Sequence, residues 1–172
     1  SAIQNSKIGG NMDRYQLNKN GEGYTDNTAY KAIRNVSMTE KNKVRFLIPG
    51  EPIAKERPRL GKNGKVYTPR KTHNFETTCS LAYGNRPRLE GEKLRVEILF
   101  NFKVPKSYSK KQRNKALDDK IGPTKKDIDN CIKAVLDGLN GIAWRDDRYI
   151  HEVIAKKQFA EKSEIIVEIT EL

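Results

Sequence analysis

The chain has 172 residues and carries 34 Lys+Arg against 22 Asp+Glu, a formal net charge of +12 at pH 7. A chain of this length can bury a core as one domain, with or without an appended arm, and needs neither a disulfide scaffold nor a metal staple. Its 35% hydrophobic and 33% charged residues exclude wholesale disorder. Without a long apolar run or a signal-peptide pattern, the sequence predicts a cytoplasmic protein with no membrane partner.

Residues 1–42 are rich in Asn, Gly and Lys and are expected to form a polar arm outside the core. One short helical pattern begins at an Asp26 cap and continues through Tyr30, Ile33 and Val36. The folded domain is expected to comprise residues 43–172.

The first half of this domain alternates strand and turn signals. Regular alternation from Lys43 to Ile48 predicts a strand that ends at Pro49-Gly50. The dipeptide Asn63-Gly64 favours a tight turn before Val66-Tyr67, and so predicts a short hairpin. A helix is expected from about residue 72 to residue 83, because Gly84 supplies a stop signal.

The second half contains the clearest elements. Residues 94–102 alternate as a half-buried strand, and residues 109–117 could form a short polar helix. The best helix begins at about Asp129 and has one apolar arc, and Asn140-Gly141 ends it. A final hairpin is expected from residues 149–159 and 165–170. These elements predict an α+β fold, a small mixed β-sheet with two main helices packed against it.

The cysteines and histidines give no sign of a zinc site. Cys79 and Cys131, and likewise His73 and His151, form no close pair. A structural zinc ion needs Cys or His ligands at short, defined spacings. We therefore expect two free thiols, both on helices.

The positive charge is concentrated in two segments. Residues 55–73, the first basic segment, hold seven basic residues and one acidic residue, and residues 103–126, the second basic segment, hold nine and two. The other 129 residues carry a net charge of about zero, which leaves two basic patches suited to a polyanion such as nucleic acid. Lysine-rich loops that only increase solubility are the alternative.

Carboxylates follow the second basic segment directly. Asp127 and Asp129 can share a side only where the backbone is extended, and Asp146-Asp147 follow the helix where the chain can turn back. Carboxylates about 4 Å apart repel by about 4 kcal/mol per pair, so three in contact require a cation such as Mg²⁺. The alternatives are helix caps at Asp127 and Asp129, surface ion pairs along the helix, and a turn at Asp146-Asp147.

The string KKDIDNCIKAVLDGLNGIAWRDD resembles the signature of the RusA family of Holliday junction resolvases. That signature is Asp-x-Asp-Asn, a Lys four residues after the second Asp, an Asp on the helix, and then aromatic-x-Asp-Asp. A second match, ERPRLGKNGKVYTPRKTHNFE, is similar to the family's basic segment, and the resemblance covers about residues 43–172. Lys126 departs from the family, where Pro often precedes the first Asp, and we expect a looser start to the site there.

The resemblance implies a RusA-like homodimer that depends on Mg²⁺, with Mn²⁺ as a possible substitute, and resolves four-way DNA junctions by paired symmetric nicks in recombination and repair. Asp127, Asp129 and Asp147 match the metal-binding acids, Lys133 matches the catalytic lysine, and Asp146 would be an auxiliary ligand. The candidates for DNA backbone contacts are basic residues of the two segments: Arg57, Arg59, Lys65, Arg70, Lys71, Lys110 and Lys111. A non-catalytic basic DNA-binding protein and a Mg²⁺ nuclease for other branched DNA stay open as alternatives.

Overall fold

The computed structural model describes residues 39–40, 42–57, 59–60, 64–67 and 69–172. The predicted helix after Asp26 lies outside these residues. The described strands are β1 Thr39–Glu40, β2 Lys43–Pro49, β3 Arg59–Leu60, β4 Val66–Tyr67, β5 Leu94–Lys103, β6 Ile150–Ala160 and β7 Glu164–Glu171. The described helices are α1 Arg70–Tyr83, α2 Lys110–Leu117 and α3 Ile128–Leu139, with a 3₁₀ turn at Asp147–Tyr149.

Five strands form one mixed sheet in the order β1-β2-β7-β5-β6. The strands β5 and β6 are parallel, and the other neighbours are antiparallel. Helices α1 and α3 pack on each other, α1 also contacts β2, and α3 also contacts β6. The predicted mixed sheet with two main helices is therefore confirmed.

The predicted final hairpin is wrong, because β5 lies between β6 and β7 and pairs with both. Crossing one intervening strand takes about 10 Å, and the three residues 161–163 can reach that far. A short connection is the usual sign of a hairpin, and here it carries the chain over a neighbouring strand instead.

Strand β5 is also more buried than predicted. We expected a half-buried strand, but Leu99 and Asn101 on the second face are 3% and 0% exposed. The Asn101 side chain donates to Glu164 Oε1 at 3.3 Å and accepts from Gln158 Nε2 at 3.1 Å. This amide therefore joins β5 to both of its neighbours, which satisfies a polar group that burial would otherwise destabilise.

The predicted helices lie where their patterns place them. Helix α1 ends before Gly84, and α2 begins at a Ser109 capping box that includes Gln112. Helix α3 begins at Ile128, one residue earlier than predicted, so Asp129 is in its first turn and Asp127 is its extended N-cap. The two predicted acids therefore have different backbone conformations.

Helices α1 and α3 approach closely at Gly138. A Cβ atom there would lie 3.0 Å from both Cβ and Sγ of Cys79 and 3.3 Å from Cα of Glu76. The cysteines Cys79 and Cys131 are free and lie on helices, as predicted. Both are buried, and burial raises the pKa of the Cys79 thiol to about 12. The seam between the helices thus brings Glu76 of α1 beside the polar edge of α3.

Candidate active site

The start of α3 presents two exposed acids and an exposed base. Asp127 occupies the N-cap position, but its side chain makes no capping hydrogen bond. Asp129 and Lys133, four residues apart, are also exposed, and within the described ranges Lys133 forms no ion pair. The capping and surface ion-pair alternatives therefore do not explain Asp127 and Lys133.

Lysines hold the backbone immediately before these acids. Lys126 Nζ donates to Glu51 Oε1 at 2.7 Å and to the carbonyl oxygen of Pro52. From β6, Lys157 Nζ donates to the carbonyl oxygen of Lys126 at 2.6 Å. The expectation that Lys126 loosens the start of the site is wrong, because this residue ties it to the 51–57 segment.

The two basic segments meet at the same place. The pKa of Glu51 is lowered first by its hydrogen bond with Lys126 and then by the charges of Lys126, Lys71 and Lys125. Lys71 belongs to the first basic segment, whereas Lys125 and Lys126 belong to the second. The fold thus brings cations of both segments near Glu51, and one of them, Lys126, directly precedes Asp127, so a phosphate backbone could bind here.

A second group of charges lies further along α3. Lys55 donates its backbone N–H to the carbonyl oxygen of Asn130 at 3.0 Å, and its Nζ hydrogen-bonds Oδ2 of Asp137. The same ammonium lies 3.6 Å from Oε1 of Glu76 on α1. Lys55 therefore fastens the 51–57 segment to the first turn of α3, to its last turns, and to α1.

Asp147 interacts electrostatically with this group. Its Oδ1 accepts from Nε1 of the fully buried Trp144 at 2.8 Å. Burial raises the pKa of the Asp147 carboxyl, the charges of Asp137 and Asp146 raise it further, and the Trp144 hydrogen bond and Lys55 oppose them. The protein thus holds an acid where its ionised form is disfavoured, which is common at functional sites.

Asp146 fits the turn alternative. It caps the 3₁₀ turn by accepting from the backbone N–H of Arg148 at 3.0 Å, and it also binds the Arg148 guanidinium. Hydrogen bonds from Arg148 lower the pKa of Asp146. If Asp146 bound a metal ion, as the resemblance implies, it would therefore have to give up its pairing with Arg148.

The expected meeting of Asp127, Asp129 and Asp147 on one ion is not seen. Among the described residues, no three His, Cys, Asp or Glu side chains are grouped so that they could hold a metal ion. The donor chemistry of Asp127 and Asp129 nonetheless fits a hard divalent cation, because Mg²⁺ can bind one or two carboxylates together with waters and phosphate oxygens.

The proposed DNA-contacting residues lie on different elements of the chain. One set runs from Arg57 to the start of α1, and the other lies on α2. The side chain of Arg59 lies outside the described set. The remaining candidates are all exposed: Arg57, Lys65, Arg70, Lys71, Lys110 and Lys111.

Sequence reasoning missed Lys55 and Glu76. Lys55 stood out only as one of seven basic residues in its segment, and Glu76 only as a polar residue on a predicted helix. No local spacing relates either residue to Asp137. Lys55 and Asp137 are 82 residues apart along the chain, and Glu76 comes near them only because the two helices pack together. Their role becomes visible only in the tertiary structure.

We expect the variant Asp147→Asn to be more stable than the wild type at neutral pH in the presence of EDTA. Because the pKa of Asp147 is raised in the folded protein, the contribution of this one group to stability is fully present below the unfolded value of about 3.9 and is lost as the pH rises through the folded value. Asn does not titrate and can still accept from Trp144. Thermal unfolding from pH 3.5 to 7 should show a difference that grows with pH; a constant or opposite difference would contradict this explanation.

Comparisons with known proteins identify the family of this chain. Residues 49–170 match the endodeoxyribonuclease RusA family. A Bacillus subtilis strain 168 protein, described as uncharacterized protein YqaN, is 33% identical over 138 residues, 75% of this chain and 96% of its own length. In the described part of the chain, no helix is long and apolar enough to cross a membrane. The matched region includes both groups of charges around α3, and the chain belongs to the RusA family of endodeoxyribonucleases.

Proposed function

We propose that this protein is a Mg²⁺-dependent endodeoxyribonuclease that resolves four-way DNA junctions by paired, symmetric nicks. RusA-family nucleases are generally dependent on divalent metals and bind branched DNA junctions. The observation that carries the proposal is the start of α3, where exposed Asp127, Asp129 and Lys133 stand beside converging lysines. Cleavage of a phosphodiester needs both features: carboxylates that are available to bind a cation, and a positively charged surface that binds the DNA backbone.

Asp127 and Asp129 would hold the cation together with waters and a phosphate oxygen. Asp147, which lies with Asp137 and Lys55 rather than with these two acids, would join them as a ligand when the cation and DNA bind. When bound, Mg²⁺ supplies Lewis-acid polarisation of the scissile phosphate and a water molecule of lowered pKa. Lys133, one helical turn after Asp129, would stabilise the negative charge that develops on the phosphate. Trp144 would orient the Asp147 carboxylate through its hydrogen bond.

A homodimer would account for the paired cuts. A two-fold axis presents two equivalent sites to two strands of matching polarity, as a four-way junction requires. Recombination and repair are the processes in which such junctions arise, and the cytoplasm is the compartment that we propose.

We expect Lys133→Ala to bind junction DNA and Mg²⁺ normally but to lose about a hundredfold or more in single-turnover cleavage, because it removes a charge used only in the transition state. Because Lys133 is exposed and forms no ion pair with any described residue, stability should be unchanged. Lys162→Ala, at an exposed lysine in the β6–β7 connection, is the matched control. Wild-type cleavage by Lys133→Ala would remove this residue from the site.

The proposal is tested by incubating the protein with a synthetic four-way junction, a flap, a replication fork and a linear duplex, each with Mg²⁺ and with EDTA. Metal-dependent cleavage that is fastest on the four-way junction is the expected result. Faster cleavage of flaps or forks would reassign the substrate. Binding without any metal-dependent cleavage would leave only a DNA-binding protein.

A further inference from the structure

The two-stranded ribbon formed by β3 and β4 exposes large apolar side chains. The paired register places Leu60 opposite Val66 and Arg59 opposite Tyr67. Leu60 is 73% exposed, Val66 is 68% exposed and Tyr67 is 50% exposed, and none of them belongs to the hydrophobic core. The ribbon thus presents an apolar pair on one face and an aromatic ring on the other, neither of them packed against the core.

The surroundings of the ribbon are cationic. Arg57, Lys65, Arg70 and Lys71 are all exposed within the first basic segment, whose only acid is Glu56. A second copy of this chain would bring an equally basic surface against it, and like charges would oppose the contact. A polyanion that also offers flat apolar surfaces fits both features, and nucleic acid with unstacked bases is such a partner.

The base of the ribbon is fixed beside the candidate active site. The backbone N–H of Glu56, before the ribbon, donates to Oγ1 of the buried Thr72, after it, at 3.4 Å. The preceding residue, Lys55, is bound to the carbonyl oxygen of Asn130, the neighbour of Asp129. The residues on either side of the ribbon, Glu56 and Thr72, are therefore bonded to each other, and Lys55 ties them to the first turn of α3.

We infer that the β3–β4 ribbon is a wedge that inserts Leu60, Val66 and Tyr67 at a DNA branch point, where bases are unstacked. This inference rests on the proposed function, because it concerns how the same protein recognises its branched substrate. Linear duplex DNA offers its phosphates to the basic residues but no open base step to the apolar side chains. The wedge would thus discriminate branched from linear DNA, while the surrounding cations bind either.

The test compares the wild-type protein with Leu60→Ser/Val66→Ser and with Tyr67→Ala. All three side chains are largely exposed, so the variants should fold normally. Leu81→Ser, at a 77% exposed leucine on α1, is the matched control for losing an exposed apolar side chain. The DNA is a four-way junction with 2-aminopurine at the branch point and a linear duplex of the same sequence, bound in Ca²⁺ so that cleavage does not interfere.

We expect wild-type protein and Leu81→Ser to increase the 2-aminopurine fluorescence of the junction, because the base leaves the stack. The ribbon variants should lose that increase and bind the junction about tenfold more weakly, the scale of a lost base stack, with duplex affinity unchanged. Variants that match the wild type on both DNAs would overturn the inference. The variants could instead lose only self-association, while each bound molecule still gives the wild-type fluorescence increase. That result would assign Leu60 and Val66 to contact with a second copy of the chain and would also overturn the inference.

The outcome for the ribbon can be separated from the outcome for the proposed function. Wild-type protein that opens the branch point but cuts no branched DNA with Mg²⁺ would support the wedge and refute the nuclease. Cleavage of junctions with no fluorescence increase would support the nuclease and refute the wedge.

Discussion

Replacing Asp127 by Asn should abolish Mg²⁺-dependent nicking of branched DNA while leaving junction binding equal or tighter. The exposed carboxylate makes no capping bond, so helix α3 should not lose stability when its charge is removed. Loss of a partner that only supports a metal ligand typically lowers activity about 10–100-fold, so we expect loss of the ligand itself to exceed about a hundredfold. Binding should not weaken, because a negative charge next to the DNA phosphates disappears.

The experiment measures single-turnover cleavage and, in EDTA, the affinity for a labelled junction. Asp118→Asn, at an exposed acid after α2, is the matched control and should cut at the wild-type rate. If Asp127→Asn retains full cleavage, Asp127 is not a metal ligand. If cleavage and binding fall together in this variant, the residue acts through folding or DNA contact instead.

Replacing Lys55 by Met should lower both stability and turnover. The ammonium of Lys55 is the shared cation of Asp137 and Glu76, and its charge also favours ionised Asp147. Its removal leaves part-buried carboxylates facing one another without a counter-charge, which costs about 1–3 kcal/mol in the free energy of unfolding. Cleavage should fall about tenfold or more, because Lys55 also helps to fasten the 51–57 segment, which holds the start of α3 through Glu51 and Lys126.

A double-mutant cycle separates the ion pair from other effects of Lys55→Met. If the pair is responsible, the double variant Lys55→Met/Asp137→Asn should be less destabilised at pH 7 than the sum of the single variants. Lys162→Met, at an exposed lysine that forms no ion pair within the described residues, should unfold like the wild type. Additive losses in the cycle would show that the pair with Asp137 does not account for the effect of Lys55→Met.

The sequence was most informative where local chemistry decides the structure. The apolar arc of α3, the Gly84 stop of α1 and the Ser109 capping box are all patterns within a few residues, and the structure contains each of these helices. The acids Asp127 and Asp129 could be singled out for the same reason, whereas Lys133 was named as catalytic through the resemblance to the RusA family. Their spacing along the chain already places them around one helix start.

The errors arose where the structure depends on distant parts of the chain. Nothing between Ala160 and Glu164 reveals that β5 inserts between their strands, and nothing within β5 reveals that Leu99 and Asn101 on its second face are buried. The assembly of Lys55, Glu76 and Asp137 likewise needs α1 packed on α3 at Gly138. Spacing alone also suggested that three carboxylates meet, whereas α3 begins at Ile128 and gives Asp127 and Asp129 different backbone conformations.

The most direct test of the proposed function maps the cuts made in a synthetic four-way junction. Each of the four strands is labelled in turn at its 5′ end, and the wild-type protein is added with Mg²⁺ or with EDTA. We predict nicks only with Mg²⁺, at symmetrically related positions on two strands of matching polarity. An intact junction under both conditions, despite measurable binding, would contradict the assignment of a metal-dependent nuclease.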